Sequence, residues 1–400
     1  MVPFIHRDIV ESIAQSTPPK AVVIYGPRRA GKTTLLSSLL GPNTRILNAD
    51  RRKDIVMLDD LASAGDVDVF LENYDTIVID EAQRIPNIGL IIKILVDANR
   101  STKIFVAASS SLELAKGVRE SAVGRLINRH LWPLSLHELV NQYGQGYIDN
   151  NFERLLVYGM YPEVVTKHEN AIELLSDYSM DLMYKDVFEL GAIRNPEPLR
   201  HLVEYLAYHI GQEVSYENLA REIKVHSLTV EKYIDLLEKC FIIKRCGSYS
   251  RNLANELKKG KKIYFCDVGV RNAIIGDFSP FSARADAGAL WENFFFIERM
   301  KKLDLQRNFA RQYFWRVRGT RRVNSTDKPV EYSRSIDFIE TRDNILQAFE
   351  CKLNPTRKDR TGQEFRDAYP DCDIHVVTPR DAVAWLIHNH PKDKMAHPNA

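Results

Sequence analysis

The chain has 400 residues and no CxxC pair among its five cysteines, Cys240, Cys246, Cys266, Cys351 and Cys372. That absence argues against a zinc or dithiol framework and predicts reduced, packed thiols. No uncharged apolar run approaches the ~20 residues a membrane span needs. Lys93 interrupts even the stretch IGLIIKILV. The first residues, MVPFIHRDIVESIAQ, carry Asp8 and Glu11 where a secretory signal needs an apolar core. Neither sign of charge dominates. The formal net charge is +2, so any attraction to nucleic acid must come from a local basic face. These absences predict a cytoplasmic protein with no membrane partner, and the length predicts two or three domains.

What the chain does carry begins at residues 21–34, AVVIYGPRRAGKTT. Gly26, Gly31, Lys32 and Thr33 fit the spacing G-x-x-x-x-G-K-[ST] of a phosphate-cradling loop. A chance Gly-Lys turn would not need the strand expected at Ala21–Tyr25 or the helix expected at Lys32–Leu40, and the motif needs both. Glycines allow backbone N–H groups to curl around a phosphate, and the helix N-terminus adds partial positive charge. The expected ligand is ATP with Mg2+, held by the loop Gly26, Pro27, Arg28, Arg29, Ala30, Gly31, Lys32, Thr33 and Thr34. Lys32 would reach the β- and γ-phosphates, and the Thr33 hydroxyl would help to hold the metal ion.

A second apolar run, Thr76–Ile79, is followed by Asp80 and Glu81. Asp80 is expected to hold Mg2+ through water and Glu81 to orient and deprotonate the attacking water. A helix-capping acidic pair is the bland alternative. A third strand, Lys103–Ala108, runs into Ser109, Ser110 and Ser111. Ser109 could touch the γ-phosphate or the water, although three serines fit an ordinary loop equally well. With the strand RILNAD (45–50) and the helix Ile88–Asn99 between them, these elements predict a parallel sheet with nucleotide at its carboxyl edge.

The arrangement resembles the AAA+ branch of the phosphate-loop ATPases. The segments GPRRAGKTTLL, VIDEAQRIP, AASSSLELA, ESAVGRLINRHLWPLSLHEL and YGMYPEVV resemble, in this order, a bacterial and archaeal family. Its members join an AAA-type ATPase domain to a nuclease-like C-terminal domain of unknown function. The resemblance implies an arginine that acts across a subunit boundary. Arg125 stands at the family's Gly-Arg pair, with Arg129 one turn later, and a structural ion pair is the competing reading for Arg125. Such a finger requires a homo-oligomer: a ring, of which a hexamer is one size, or at least a dimer. Tyr158 replaces the first glycine of the family's Gly-Gly-Tyr-Pro element.

Residues 213–250 are spaced for two short helices, a tight turn and the strand-like FIIKRC, as in a winged helix. The second helix, roughly Ser227–Glu238, would present His226, Ser227, Thr229 and Lys232. Lys244, Arg245 and Arg251 favour phosphates, whereas Glu231, Asp235 and Glu238 repel them. DNA is therefore a candidate partner. Equally, many such segments only pack against neighbouring domains.

After the basic stretch LKKGKKIYF, the helix ALWENFFFIERM (289–300) and the strands YFWRVRG (313–319), SIDFIE (335–340) and LQAFECK (346–352) follow. Glu292, Asp337, Glu350 and Lys352 make the constellation of a PD-(D/E)xK nuclease. Asp337 and Glu350 would hold Mg2+, Glu292 would complete the metal site, and Lys352 would polarise water. Alternating charges also line solvated strands, so Glu-x-Lys by itself is weak. Ser335 stands where the family commonly has glutamate, and the loop RGTRRVNSTDKPVEYSR offers arginines to a DNA backbone.

The expected fold is therefore α/β in four segments. An AAA+ P-loop parallel sheet occupies 1–150 and a helical and winged-helix middle segment 151–254. A PD-(D/E)xK-like α/β domain spans 255–388, and a polar tail 389–400. The expected activity is ATP hydrolysis coupled to DNA, with metal-dependent cleavage left open. The other reading is an ATP-dependent switch or scaffold for a protein partner, with a vestigial nuclease site.

Overall fold

Two sheets organise the chain, and they differ in strand direction and in hydrophobic pattern. The computed structural model describes residues 4–16, 18–63, 67–98, 101–109, 124–182, 187–188, 193, 195–250, 260–321, 330–354, 361–388 and 390–395. The described chain divides into two compact units. One comprises residues 1–142, 160–196 and 233–242, the other 143–159, 197–232 and 243–400.

The first unit holds a five-stranded sheet. Its strands are β1 (Ala21–Tyr25), β2 (Thr44–Asn48), β3 (Thr76–Asp80), β4 (Lys103–Ala108) and β5 (Leu126–His130), in the spatial order β2-β3-β4-β1-β5. All four pairings are parallel. Parallel strands covered on both faces read as unbroken apolar runs rather than as alternation, and AVVIY and TIVID are buried at every position. On one face Val23, Ile79 and Val106 pack with Ile92 and Leu95 of the helix Ile88–Ala98. On the other, Val22, Ile24 and Phe105 pack with Leu35 and Leu36 of the helix Lys32–Ser38. Each such side chain contributes about 1.5–3 kcal/mol when taken from water. Since every strand points the same way, the residues that follow β1, β3 and β4 emerge at one edge. Strand β4 lies between β1 and β3, so Ser109 emerges between the phosphate loop and the Asp80-Glu81 pair.

The second unit holds a seven-stranded sheet in the order β12-β11-β10-β9-β7-β8-β6. These strands are β6 (Glu213–Val214), β7 (Ile243–Ser248), β8 (Lys261–Phe265), β9 (Arg311–Arg321), β10 (Val330–Arg342), β11 (Ile345–Cys351) and β12 (Asp373–Val377). Pairings are antiparallel except β11 with β12 and β7 with β9. The helix Ala287–Leu305 buries Trp291, Phe294, Phe295 and Phe296. Phe295 and Phe296 meet Phe338 of β10 at ring-centroid distances of 5.7 and 5.6 Å.

Three expectations change here. The boundary at 254/255 is not a division, because β6 to β8 share a sheet with β9 to β12. Both described ends of the arginine-bearing loop are strand: Arg318 lies within β9, and Val330 pairs with Arg321 across to β10; residues 322–329 lie outside the described residues. Residues 390–395 of the expected polar tail are docked. Asp393 and Met395 are buried, and the His390 ring stacks on Trp385 at 4.0 Å. His397 lies outside the described residues.

Candidate functional site

The phosphate loop is shaped by two backbone constraints. A Cβ on Gly26 would stand 2.1 Å from the Leu131 carbonyl oxygen, so only glycine fits beside that strand end. Gly31 enters the following helix at φ 96°, a left-handed conformation that glycine adopts without strain. Arg7, 5% exposed, pins the loop from outside by donating from Nη1 to the Ala30 carbonyl at 2.7 Å. Its Nε donates to Glu138 at 2.8 Å and its Nη2 to the Trp132 carbonyl at 2.6 Å. Pro27 and Ala30 are buried, Arg28 is half-buried, and Arg29, Thr33 and Thr34 are exposed.

Within the loop the Lys32 ammonium donates to the carbonyls of Gly26 at 2.8 Å and Pro27 at 2.9 Å. These acceptors hold a buried cation that phosphate oxygens would satisfy when nucleotide enters. Thr33 Oγ1 donates to Asp80 Oδ2 at 2.7 Å. The structure therefore brings together the hydroxyl and carboxylate expected at Mg2+, and both are oxygen donors of the kind that ion takes.

Glu81 sits at φ 53°, ψ 37°, a left-handed conformation that costs a non-glycine residue of order 1–3 kcal/mol. Its backbone N–H donates to Asp80 Oδ1 at 2.9 Å. The strained turn carries the Glu81 side chain towards β4. There Gln83 donates from Nε2 to Glu81 Oε2 at 2.6 Å and to Ser109 Oγ at 2.9 Å. The Ser109 N–H returns a hydrogen bond to Gln83 Oε1 at 3.2 Å. Gln83 thus joins the expected base to the expected sensor. It stands in the quoted motif VIDEAQR, but only the strand order puts it between the two. Ser110 and Ser111 lie outside the described residues.

A cavity of about 690 Å³ opens beside this cluster, lined by Arg28, Arg29, Lys32, Thr33, Glu81 and Asp181 among others. Arg29 donates to Asp181 Oδ2 at 2.8 Å, and its guanidinium lies 4.4 Å from the Tyr178 ring centre. Tyr178 in turn donates to Glu163 Oε2 at 2.6 Å. Burial, reinforced by the Glu163 carboxylate, holds the Tyr178 phenol well above its ordinary range. The tyrosines Tyr161 and Tyr178 are core residues packed edge to face at 5.4 Å.

Arg125 lies at the other end of the sheet. Its carbonyl accepts from the N–H of Ala21, the first residue of β1, whereas the phosphate loop follows the last. Four residue steps of about 3.3 Å separate these ends, roughly 13 Å. Arg125 therefore stands well apart from the phosphate loop of the same chain. It pairs with Asp97 through two hydrogen bonds, the Nη2–Oδ2 one at 3.1 Å. Arg129 Nε donates to Ser12 Oγ at 2.8 Å.

In the second unit the Asp337 carboxylate projects from an irregular stretch of β10, where the register with β9 shifts between Ile336 and Ile339. Such irregularities re-aim side chains. Asp337 Oδ2 accepts from the Cys351 N–H at 2.8 Å. Glu350 Oε2 pairs with Lys352 at 2.9 Å. Glu292 Oε1 accepts from Lys262 at 2.8 Å and from Tyr264 OH at 2.7 Å. Lys262 Nζ also stands 3.3 Å from the Asp337 carbonyl oxygen and 3.8 Å from Oδ1. Burial by itself weakens this lysine's hold on its proton, but Glu292 and Asp337 outweigh it and keep the ammonium above its usual range. Burial likewise pushes the Glu292 carboxyl up. Among the described residues no three His, Cys, Asp or Glu side chains are placed to hold a metal ion together. The expected trio Glu292, Asp337 and Glu350 is thus not assembled as one ligand set, since a lysine stands between two of its members. Lys262 belongs to the stretch that reads as a basic linker; it is 3% exposed on β8.

The helix pair expected at 213–250 is present as Tyr216–Glu222 and Ser227–Lys239. Arg316 and Arg318 both pair with Glu213, at 2.7 and 3.0 Å. Arg251 lies outside the described residues. Gly159 of YGMYPEVV, at φ 74°, lies so close to Asp267 that a Cβ would stand 2.1 Å from its carboxylate. The flanking Tyr158 stacks on Phe278 at 5.5 Å, which is how a tyrosine is accommodated there.

Residues 18–140 match a family model described as an AAA domain, and residues 149–280 one described as a domain of unknown function, DUF8612. The uncharacterized protein Rv2008c of Mycobacterium tuberculosis is 27% identical over 302 residues, which cover 74% of this chain and 65% of that protein's length. The uncharacterized protein MJ1544 of Methanocaldococcus jannaschii is 25% identical over 396 residues, covering 93% of this chain and 83% of its own. Among solved structures, the Walker-type ATPase PABY2304 of Pyrococcus abyssi has a TM-score of 0.49 at 15% identity, covering 68% of this chain and 96% of that one. The AAA-domain match, over a parallel α/β sheet, supports an ATP-binding ATPase domain. No helix among the described residues is long and apolar enough to cross a membrane.

Proposed function

We propose that this chain binds ATP with Mg2+ and hydrolyses it to ADP and phosphate. One observation carries the reading. Lys32, Thr33, Asp80, Glu81 and Ser109 converge at the carboxyl edge of a single parallel sheet, beside a cavity of about 690 Å³. The phosphates would draw Lys32 from the loop carbonyls, and the N-terminus of the helix after Gly31 would face them. Mg2+, which supplies charge neutralisation at the phosphates, would be held by Thr33 directly and by Asp80 through water. Glu81 would orient and deprotonate the attacking water, with Gln83 and Ser109 fixing its position.

Lys32→Ala is expected to abolish ATP binding or turnover, because the phosphates lose their point charge. Glu81→Gln is expected to retain ATP while turnover falls by about 10²- to 10⁴-fold, the usual worth of a general base. Nucleotide binding by isothermal titration and phosphate release separate the two. Normal turnover in the Glu81→Gln protein would show that the base is elsewhere.

Hydrolysis is proposed to drive a conformational switch in a homo-oligomer. For the partner, two readings differ. Recruitment to DNA rests on the helix pair ending at Lys239 and the cations Lys244 and Arg245. A protein scaffold is favoured by Arg316 and Arg318, which are engaged by Glu213, and by the lysine among the acidic residues of the nuclease-like sheet. A rise in turnover on adding duplex DNA would decide for the first, and indifference to DNA for the second.

A further inference from the structure

The acidic residues of the second sheet meet a cation that belongs to the chain itself. Lys262 enters from β8, Glu292 from the helix Ala287–Leu305 and Asp337 from β10, so three separate elements meet at one ammonium. The lysine side chain is 4% exposed, and those of Glu292 and Asp337 are 14% and 16% exposed. One ammonium makes a short contact with Glu292 and a longer one with Asp337, and lies close to the Asp337 carbonyl. Tyr264 adds a second donor to the same Glu292 oxygen.

This donor set does not suit a divalent ion. Magnesium takes oxygen ligands at 2.0–2.1 Å and calcium at 2.3–2.6 Å, in shells of six or more. An ammonium seated 2.8 Å from Glu292 and 3.8 Å from Asp337 fills the space such an ion would share between them. Admitting the ion would mean displacing Lys262 from both carboxylates and leaving a buried ammonium without its partners, which is strongly unfavourable. We propose that Lys262 is the resident cation of this pocket, standing where a nuclease of this design would place its metal ion, so that Glu292 and Asp337 bind no divalent metal. Lys262 is then a structural tie between β8, β10 and the long helix, and the pocket is metal-independent.

The inference does not depend on the ATPase reading and predicts a gain of function. Mn2+ uptake is measured by electron paramagnetic resonance on the full chain without nucleotide, which keeps the phosphate-loop site from contributing a nucleotide-bound ion. Wild-type protein is expected to show no Mn2+ uptake that Asp337→Asn removes. Lys262→Ser shortens and neutralises the side chain. It is expected to take up about one Mn2+ per chain and to gain thermal stability with added Mn2+ by linkage. Adding Asp337→Asn in that background should erase both effects. An equivalent of Mn2+ on the wild-type chain that Asp337→Asn abolishes overturns the proposal. So does a folded Lys262→Ser protein that binds none. Should Lys262→Ser fail to fold, the wild-type and Asp337→Asn proteins still decide the matter between them, and Lys262→Gln supplies a variant closer in size.

Discussion

At the scale of single residues, the nucleotide site depends on side chains that the motifs do not name. Gln83 touches Glu81 at 2.6 Å and Ser109 at 2.9 Å, so its amide fixes where the glutamate carboxylate points. Gln83→Ala leaves both expected catalytic groups in place but frees Glu81 to rotate. Turnover is then expected to fall by about 10- to 100-fold, the scale of a misplaced group. ATP affinity should stay nearly unchanged, since Gln83 is not expected to contact the phosphates. Steady-state kinetics with a parallel binding titration check this. A matching loss of affinity would make Gln83 a general support of the loop instead. Gln83→Glu, which keeps the length but brings a second carboxylate to Glu81, should rescue nothing.

At the scale of elements, the first sheet is largely legible because its buried parallel strands are uninterrupted apolar runs with glycine, acid or serine at their ends. The phosphate loop and the Asp80-Glu81 pair are legible for the same reason. The second sheet is less so. Strand β6 has two residues, and β8 begins with two lysines, of which Lys262 turns inward to meet carboxylates distant in sequence. Local pattern carries no sign of such pairing. The segment near residue 393 is a similar case. Its composition is polar, yet Arg299, fully buried, receives Asp393 on one side and Glu340 on the other, each with a hydrogen bond at 3.1 Å. Burial tends to raise the Asp393 carboxyl, but Arg299 more than offsets it, so Asp393 titrates below its ordinary value. A depressed carboxylate contributes stability that is present above its unfolded value and lost as the pH falls through the folded one. Asp393→Asn is therefore expected to cost about 3 kcal/mol near pH 7, the scale of a broken buried pair. Its deficit relative to wild type should narrow once the pH falls below about 4. Urea unfolding followed by tryptophan fluorescence at several pH values measures both, and a deficit that does not vary with pH would assign the effect to packing.

At the scale of the whole molecule, the question is whether one chain completes its own ATPase site. Arg125 immediately precedes β5, at the end of the sheet away from the phosphate loop, and forms a pair with Asp97 that is partly exposed. It is therefore either a surface ion pair with no part in hydrolysis or a residue that serves the site of a second copy. Asp97 separates the two. Exposed pairs contribute little to stability, so an ion pair alone predicts that Arg125→Ala and Asp97→Ala behave alike, with turnover close to wild type in both. A residue acting in trans predicts a split. Arg125→Ala should lose turnover by about 10³-fold, as removal of an arginine finger does, with ATP affinity nearly intact. Asp97→Ala should retain turnover, since it releases the arginine without removing it. Mixing Arg125→Ala with Glu81→Gln chains should then recover part of the activity, because some interfaces join an intact glutamate to an intact arginine. Native mass spectrometry with ATP shows whether such mixed assemblies form. A monomer under ATP with full turnover would exclude the action in trans and leave Arg125 as the partner of Asp97.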